Sequence, residues 1–399
     1  MDRLYDLQKF CRANADWLIE TIESLVRIES PSDDKAAADR FARFLGQFLP
    51  ARLDCRLEVI QQERFGNHVR MEIGPRSGVK PIVMLGHFDT VWALGTLARM
   101  PFRVADGRAY GPGAFDMKAG LVIGIEALST VQESGELAVP VVFLFTSDEE
   151  VGSPSSRPHI ESEAARSRAT LVLEPAAGRS LKTSRKGVGF FRVAVEGLAA
   201  HAGSNPELGV SAIEELARQV LDLQALNDPA TGTTVNVGVI SGGTRPNVMA
   251  ASAMAEVDLR VRTHSDARLL EETILGLRPH NPKTKVIVTG GINRPPMERT
   301  SGVAAMFELA RKAGREIGLE LSETSVGGGS DGNFVAPLGV PVMDGLGAVG
   351  DGAHAVTEHI LLESLPMRAA LVAGLIRELQ SVDEIGGGEA ASPGLPASM

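Results

Sequence analysis

Pro81-Ile-Val-Met-Leu-Gly-His-Phe-Asp89 runs a short apolar stretch of strand character straight into a histidine and an acid. Two later stretches repeat the plan. Val139 to Thr146 passes into Ser147-Asp-Glu-Glu150, and Thr170-Leu-Val-Leu173 passes into Glu174-Pro175. Between the first two lies Met117 to Val131, apolar and helix-forming. Upstream, Ser32 to Leu49 sets Phe41, Phe44, Leu45 and Phe48 at helical spacing. Strands alternating with helices predict an α/β layer built on a mostly parallel sheet.

From about Lys186 the rhythm changes. Phe190 to Val195 reads as a strand, Pro206 to Leu226 as a helix, and Thr233 to Ile240 and Met254 to Arg262 as strands. Asp266 to Leu277 reads as a second helix and Lys285 to Thr289 as a last strand. The order βαββαβ predicts a ferredoxin-like α+β domain. The α/β pattern resumes with a helix from Ser301 to Ile317, the strand Val340 to Met343 and a closing helix from Ile360 to Leu379. The smaller domain, 186–297, is therefore expected as an insert in a discontinuous larger one, 1–185 and 298–381. Residues 382–399, rich in Gly, Ser, Pro and Ala, lack apolar periodicity and are expected to be a disordered tail.

A chain of 399 residues exceeds one ordinary core, in keeping with two domains. The net charge of −10, with no long Lys/Arg run, argues against nucleic acid or an anionic membrane as partner. No apolar stretch approaches the roughly 20 residues of a membrane span. The first residues, Met1 to Arg12, mix charge with apolar side chains, unlike an export signal. The expectation is a soluble, cytoplasmic protein. Cys11 and Cys55, without a Cys-x-x-Cys, read as buried structural thiols rather than a disulfide framework or zinc knuckle.

Each of the three strands thus ends in a potential metal ligand, and open α/β sheets bind ligands beyond the carboxyl ends of their strands. A further acid, Asp116, follows the turn Tyr110-Gly-Pro-Gly113, and His354 lies in the Gly-rich loop Gly350-Asp-Gly-Ala-His354. Unpaired, so many carboxylates on one rim would repel, and divalent cations relieve that repulsion. Histidine and carboxylate ligands without thiolate suit zinc, with cobalt or manganese as substitutes. His87 and Asp89 share a face if the chain stays extended, so Asp89 is placed to accept the second ring N–H of His87. Glu149 and Glu150 cannot point the same way in extended chain: one is free to bind metal and the other to face the water.

The segments Gly86-His-Phe-Asp-Thr-Val91, Gly111-Pro-Gly-Ala-Phe-Asp-Met-Lys118 and Thr146-Ser-Asp-Glu-Glu-Val-Gly-Ser153 resemble the signature blocks of the M20 metallopeptidase family, in particular its glutamate carboxypeptidase branch. Leu173-Glu-Pro175, Ala200-His-Ala-Gly203, Gly327-Gly-Gly-Ser-Asp331 and His354 follow in the family's order, so the resemblance spans roughly residues 15 to 380. It implies two zinc ions per subunit. His87 and Glu174 would hold one, Glu150 and His354 the other, and Asp116 would bridge them. It further implies Glu149 as general base, Asp89 as the residue orienting His87, a cis peptide at Asp116-Met117, and a homodimer through the insert. His201 would reach the partner subunit's site as an oxyanion donor.

For the substrate, the resemblance implies that Arg260, in Val257-Asp-Leu-Arg-Val261, grips a terminal carboxylate with Asn247 nearby. Arg294 stands approximately where a further family arginine does; for either arginine a surface ion pair is the plain alternative. A guanidinium suits carboxylate because its donors form a planar fork. Gly328, in the run Gly327-Gly-Gly-Ser-Asp331, is read as part of a close-approach turn beside the substrate, since the run lacks the lysine and spacing of a P-loop. The expected reaction is cleavage of the amide bond before a C-terminal amino acid, glutamate favoured, in a small peptide or N-acyl amino acid. An aminoacylase of other specificity is the alternative, and a metal-binding scaffold without turnover is a different class. The scaffold would have little need of Glu149 beside the ligand Glu150. A nucleotide-binding enzyme is disfavoured, because no Gly-x-Gly-x-x-Gly opens a helix after a strand.

Three departures bear on specificity and compartment while leaving the metal set intact. Leu198 replaces a lysine of the carboxypeptidases, Ala355 follows His354 where Ser or Thr is usual, and the first residues are not expected to act as the export signal of secreted relatives.

Overall fold

The computed structural model describes residues 2–75, 78–382 and 385. All of the expected tail beyond Val382 except Ile385 lies outside them. In chain order the principal strands are β1 (Arg56–Ile60), β2 (His68–Ile73), β3 (Ile82–His87), β4 (Val141–Thr146), β5 (Ala169–Val172), β6 (Gly187–Glu196), β7 (Thr234–Gly242), β8 (Ser252–Val261), β9 (Lys285–Arg294) and β10 (Val342–Met343). The principal helices are α1 (Lys35–Arg52), α2 (Ala119–Glu133), α3 (Ala212–Gln224), α4 (His264–Leu275), α5 (Ser301–Glu316) and α6 (Leu365–Gln380). Two compact units result. The smaller comprises Arg185–Glu298 with Gly327–Gly329; the larger takes the chain before Arg185, Arg299–Val326 and the chain from Ser330.

The larger unit holds a six-stranded sheet in the order β1-β2-β4-β3-β5-β10. β3 is parallel to β4 and β5, and β10 is parallel to β5, as the strand-helix alternation predicts. The sheet is mixed at its other end, where β1 and β2 run antiparallel. The charged residues of Arg56–Ile60 and His68–Ile73 hide these two strands from an apolar-run reading. α1 opens on Asp34, whose carboxylate accepts Ala37 N at 2.8 Å, and buries Phe41, Leu45 and Leu49 one turn apart. α2 is buried along nearly its whole length. The closing helix starts at Leu365, later than expected: His359–Leu361 pairs with Arg108–Tyr110 as a strand, and Pro366 sits in the helix's first turn.

The smaller unit has the order strand-helix-strand-strand-helix-strand expected from its sequence. Its sheet runs β7-β8-β6-β9, all antiparallel. Phe191, Val193, Val195, Val257, Leu259 and Val261 turn one face toward Leu216 and Leu223 of α3 and Ile274 of α4. The alternate residues, among them Asp258 and Arg260, occupy the other face.

Candidate metal centre

Hydrogen-bond register brings the ligand-bearing strand ends together. His87 lies opposite Thr146, and Leu85 opposite Val172, so β3, β4 and β5 release their chains at one edge of the sheet. His87 closes β3, Glu149 and Glu150 form a turn after β4, and Glu174 follows β5. Asp116 arrives on the turn Ala114–Lys118, entered through Gly113 at φ 71°, where a Cβ would stand 2.5 Å from the Thr90 methyl. The Asp116–Met117 peptide is cis. His354 sits at φ 62°, a left-handed conformation rarely held by a residue other than glycine.

His87 Nε2 lies 3.3 Å from Asp116 Oδ1 and 3.6 Å from Glu174 Oε1. His354 Nε2 lies 3.4 Å from Asp116 Oδ2 and 3.2 Å from Glu150 Oε2. Asp116 therefore shows one oxygen to each imidazole. Atoms bound about 2.0–2.1 Å from a tetrahedral zinc stand about 3.3 Å apart, so the spacing fits ligands shared around an ion. His87 Nε2, Asp116 Oδ1 and Glu150 Oε1 are buried and make no hydrogen bond among the described residues. Buried polar atoms are seldom left so, and a shared cation would satisfy all three. Among the described residues, His87, Asp116 and Glu150 form one group fit for a metal ion, and His87, Glu149 and Glu174 another.

The charges fit the same reading. Burial alone would lower the His87 pKa, yet Asp116, Asp89 and Glu174 outweigh it and hold it well above the ordinary value. Asp116 and Glu150 push His354 up to about 10. Burial opposes ionisation of Asp116, but His354 and His87 hold its carboxyl far below the usual range, while burial raises Glu150. The metal-free carboxylates thus gather protons on imidazoles whose lone pairs a cation would use.

Asp89 meets the His87 ring with both its backbone carbonyl and its carboxylate. His87 Nδ1 is 3.0 Å from the Asp89 backbone carbonyl and 3.4 Å from its carboxylate. A carbonyl only accepts, so Nδ1 carries the proton and Nε2 is left for metal. The Asp89 carboxylate also accepts Ser32 Oγ at 2.6 Å and the backbone N–H groups of Glu149 and Glu150, each at 3.2 Å. It pins the turn that carries both glutamates, and that turn, not extended chain, is what lets the two side chains diverge. Asp148 anchors the other side of the turn by accepting from Ser155 and Ser156.

The remaining candidates belong to the smaller unit. His201 is exposed, and its Nδ1 accepts Gly203 N and Ser204 N, each at 3.1 Å, so the proton resides on Nε2. Asn247 is exposed, its carbonyl accepting Ala202 N at 3.0 Å. Arg260 is forked onto Asp258, two residues back on the same face, by two contacts of 2.8 Å. Arg294 is buried and pairs in register with Val188, as does Arg260, so the two arginines flank one residue of β6. The Gly328 carbonyl accepts from Arg185 at 3.2 Å. A side chain at Gly328 would meet nothing, whereas a Cβ at Gly329 would lie 2.7 Å from Arg294 Cδ: the close approach belongs to Gly329.

Sequence reading overlooked Ser32, Asp148 and Glu358. All three are buried and accept or donate hydrogen bonds beneath the ligand loops. The available signal for Glu358 was its place four residues after His354 in an otherwise small-residue loop.

A sequence profile of peptidase family M20/M25/M40 matches residues 83–378. The chain is 32% identical to carboxypeptidase G2 of Pseudomonas sp. (strain RS-16), over 91% of this chain and 89% of that protein. It is 29% identical to a succinyl-diaminopimelate desuccinylase of Dechloromonas aromatica, over 75% of this chain and 83% of that one. In structure it is similar to the aminopeptidase PepT of Bacillus cereus, with a TM-score of 0.73 and 22% identity, covering 92% of this chain and 99% of that one. The profile match and the carboxypeptidase likeness, joined to a rim of imidazoles and carboxylates at ligand spacing, make this chain a member of peptidase family M20 and a hydrolase of its metal-dependent kind.

Proposed function

We propose that the protein cleaves the amide bond before a C-terminal amino acid bearing a free carboxylate, glutamate favoured, with two zinc ions per subunit. The observation that carries this reading is Asp116, whose two oxygens stand 3.3 and 3.4 Å from the imidazoles of His87 and His354. In the proposal His87 and Glu174 would hold one ion, Glu150 and His354 the other, and Asp116 would serve both; Co2+ or Mn2+ would substitute. Bound zinc supplies a Lewis acid and lowers the pKa of water towards about 7. Glu149 takes the proton of the attacking water and returns it to the leaving nitrogen. His201, with its proton on Nε2, is suited to donate to the carbonyl oxygen as negative charge develops there. Arg260 keeps donors beyond the fork engaged by Asp258, and with Asn247 and Arg294 it would receive the substrate carboxylate.

We also infer a homodimer through the smaller unit. β7 is an edge strand, its residues Val239 and Ile240 are exposed, and Ile213 and Leu221 of the adjacent α3 are exposed as well. Exposed edges invite pairing unless covered. Likeness to a desuccinylase supports a second reading, an N-acyl-amino-acid deacylase of other specificity.

A panel of peptidyl- and N-acyl-amino acids, each also prepared as its C-terminal amide, tests the proposal on the zinc-loaded protein. The expected result is preference for acylated or peptidyl glutamate, with kcat/KM lower by about a hundredfold or more when the carboxylate is amidated. Equal turnover of acid and amide would remove the carboxylate clamp. Preference for succinylated amines would favour the second reading.

A further inference from the structure

Glu358 is wholly buried, and none of the roles above uses it. One of its carboxylate oxygens accepts Trp92 Nε1 at 2.8 Å and Gly113 N at 2.9 Å. The other accepts Phe115 N at 2.9 Å and Asp116 N at 3.1 Å. Three of these four donors are backbone groups of the turn that presents Asp116; the fourth belongs to the segment running on from His87 and Asp89. Four N–H groups converging on two oxygens require an ionised acceptor, since a protonated or amide group would turn a donor toward a donor.

The backbone of Glu358 serves the other loop. Its N–H donates to Ala355 O at 2.9 Å, closing a turn directly after the one, Gly352–Ala355, in which His354 holds its left-handed φ of 62°. The next residues, His359–Leu361, pair with Arg108–Tyr110, which leads directly into Gly111–Asp116. Strand pairing therefore ties the two ligand loops at one end, and the Glu358 carboxylate ties them at the other.

We propose that Glu358 is a positioning residue for the metal pair, fixing Asp116 against His354 so that the second ion meets preset ligands. Partners beyond the ligands themselves commonly change metal affinity by 10–100-fold. Glu358→Gln keeps the size and shape of the side chain but turns an NH2 toward backbone N–H groups. It is expected to leave the metal-free circular dichroism spectrum and the first molar equivalent of zinc intact. Affinity for the second equivalent, read by chelator competition, should fall about tenfold or more, and the visible spectrum of the Co2+-substituted protein should change. kcat should fall with little change in KM. Combining it with His354→Ala should weaken the second site no further than His354→Ala alone, because one acts through the other.

The inference rests on the two-metal reading, and the experiment separates the two. If the parent protein binds no second equivalent of metal, that reading fails. If the parent binds two and Glu358→Gln binds both with unchanged affinity and Co2+ spectrum, the positioning role is overturned. Additive losses in the double variant would overturn it too. Should Glu358→Gln not fold, Glu358→Asp keeps the charge but shortens its reach, and an unaltered second site there would be equally fatal.

Discussion

Glu149 and Glu150 are chemically identical neighbours whose surroundings set them apart. Glu150 Oε2 stands 3.2 Å from His354 Nε2, while Glu149 groups with His87 and Glu174 and remains partly accessible. Under the proposed mechanism Glu149→Gln should retain both metal equivalents while kcat falls about 10²- to 10⁴-fold, the usual reach of a general base. Metal analysis beside steady-state kinetics checks this, and near-normal turnover would remove Glu149 from the role. Cys11 offers a prediction of another kind. It is fully buried, and burial pushes its thiol up to about 12, so almost no thiolate exists at neutral pH. A thiol reagent should leave Cys11 unmodified in the native protein and label it rapidly after denaturation; fast native labelling, located by peptide mass, would contradict the packing. At this scale His87, Glu150 and Glu174 were legible because each interrupts or follows an apolar run. The further part taken by the Asp89 carboxylate, holding the backbone of Glu149 and Glu150, was not, since it depends on the turn after β4 and not on spacing within β3.

Among elements, glycines show where helix meets strand. Gly46 in α1 has open space around the Cβ it lacks, whereas a Cβ at Gly120 in α2 would stand 2.1 Å from the Leu173 carbonyl, just before Glu174. Alanine in a helix interior outdoes glycine by about 0.5–1 kcal/mol when nothing intervenes. Gly46→Ala should therefore stabilise by about that much. Gly120→Ala meets backbone, which cannot yield cheaply; overpacking costs typically about 1–3 kcal/mol, so the sign reverses. Urea unfolding midpoints check both, and zinc affinity should weaken in Gly120→Ala alone because the strain falls on the residue preceding a proposed ligand. A stabilised Gly120→Ala would mean α2 is not seated on the end of β5 as described. The same principle explains what was read correctly among elements. β3, β4 and β5 are buried on both faces and show as unbroken apolar runs, whereas β1 and β2 present mixed residues and need their partners to be recognised.

At the scale of the whole molecule, the interruption of one unit by another was visible as a change of rhythm near Lys186, because each unit buries its own core and so writes its own periodicity. What chain rhythm does not convey is which subunit's residues complete a site. His201 lies in the smaller unit with its ring proton on Nε2, and the resemblance to the M20 family implies that it serves the partner subunit's reaction. Two inactive variants decide the matter together. A Glu149→Gln subunit keeps His201, and a His201→Ala subunit keeps Glu149. In a hybrid dimer purified through two different tags, one site would combine an intact Glu149 with an intact His201 from across the interface, and the other would lack both. Isologous pairing then predicts recovery to about half the activity of the unsubstituted dimer, from two variant homodimers that are each nearly inert. If His201 served its own subunit, both sites of the hybrid would remain defective and no activity would return. A hybrid that could not be isolated because the chains stay monomeric would overturn the dimer itself, and with it any role for His201 in trans.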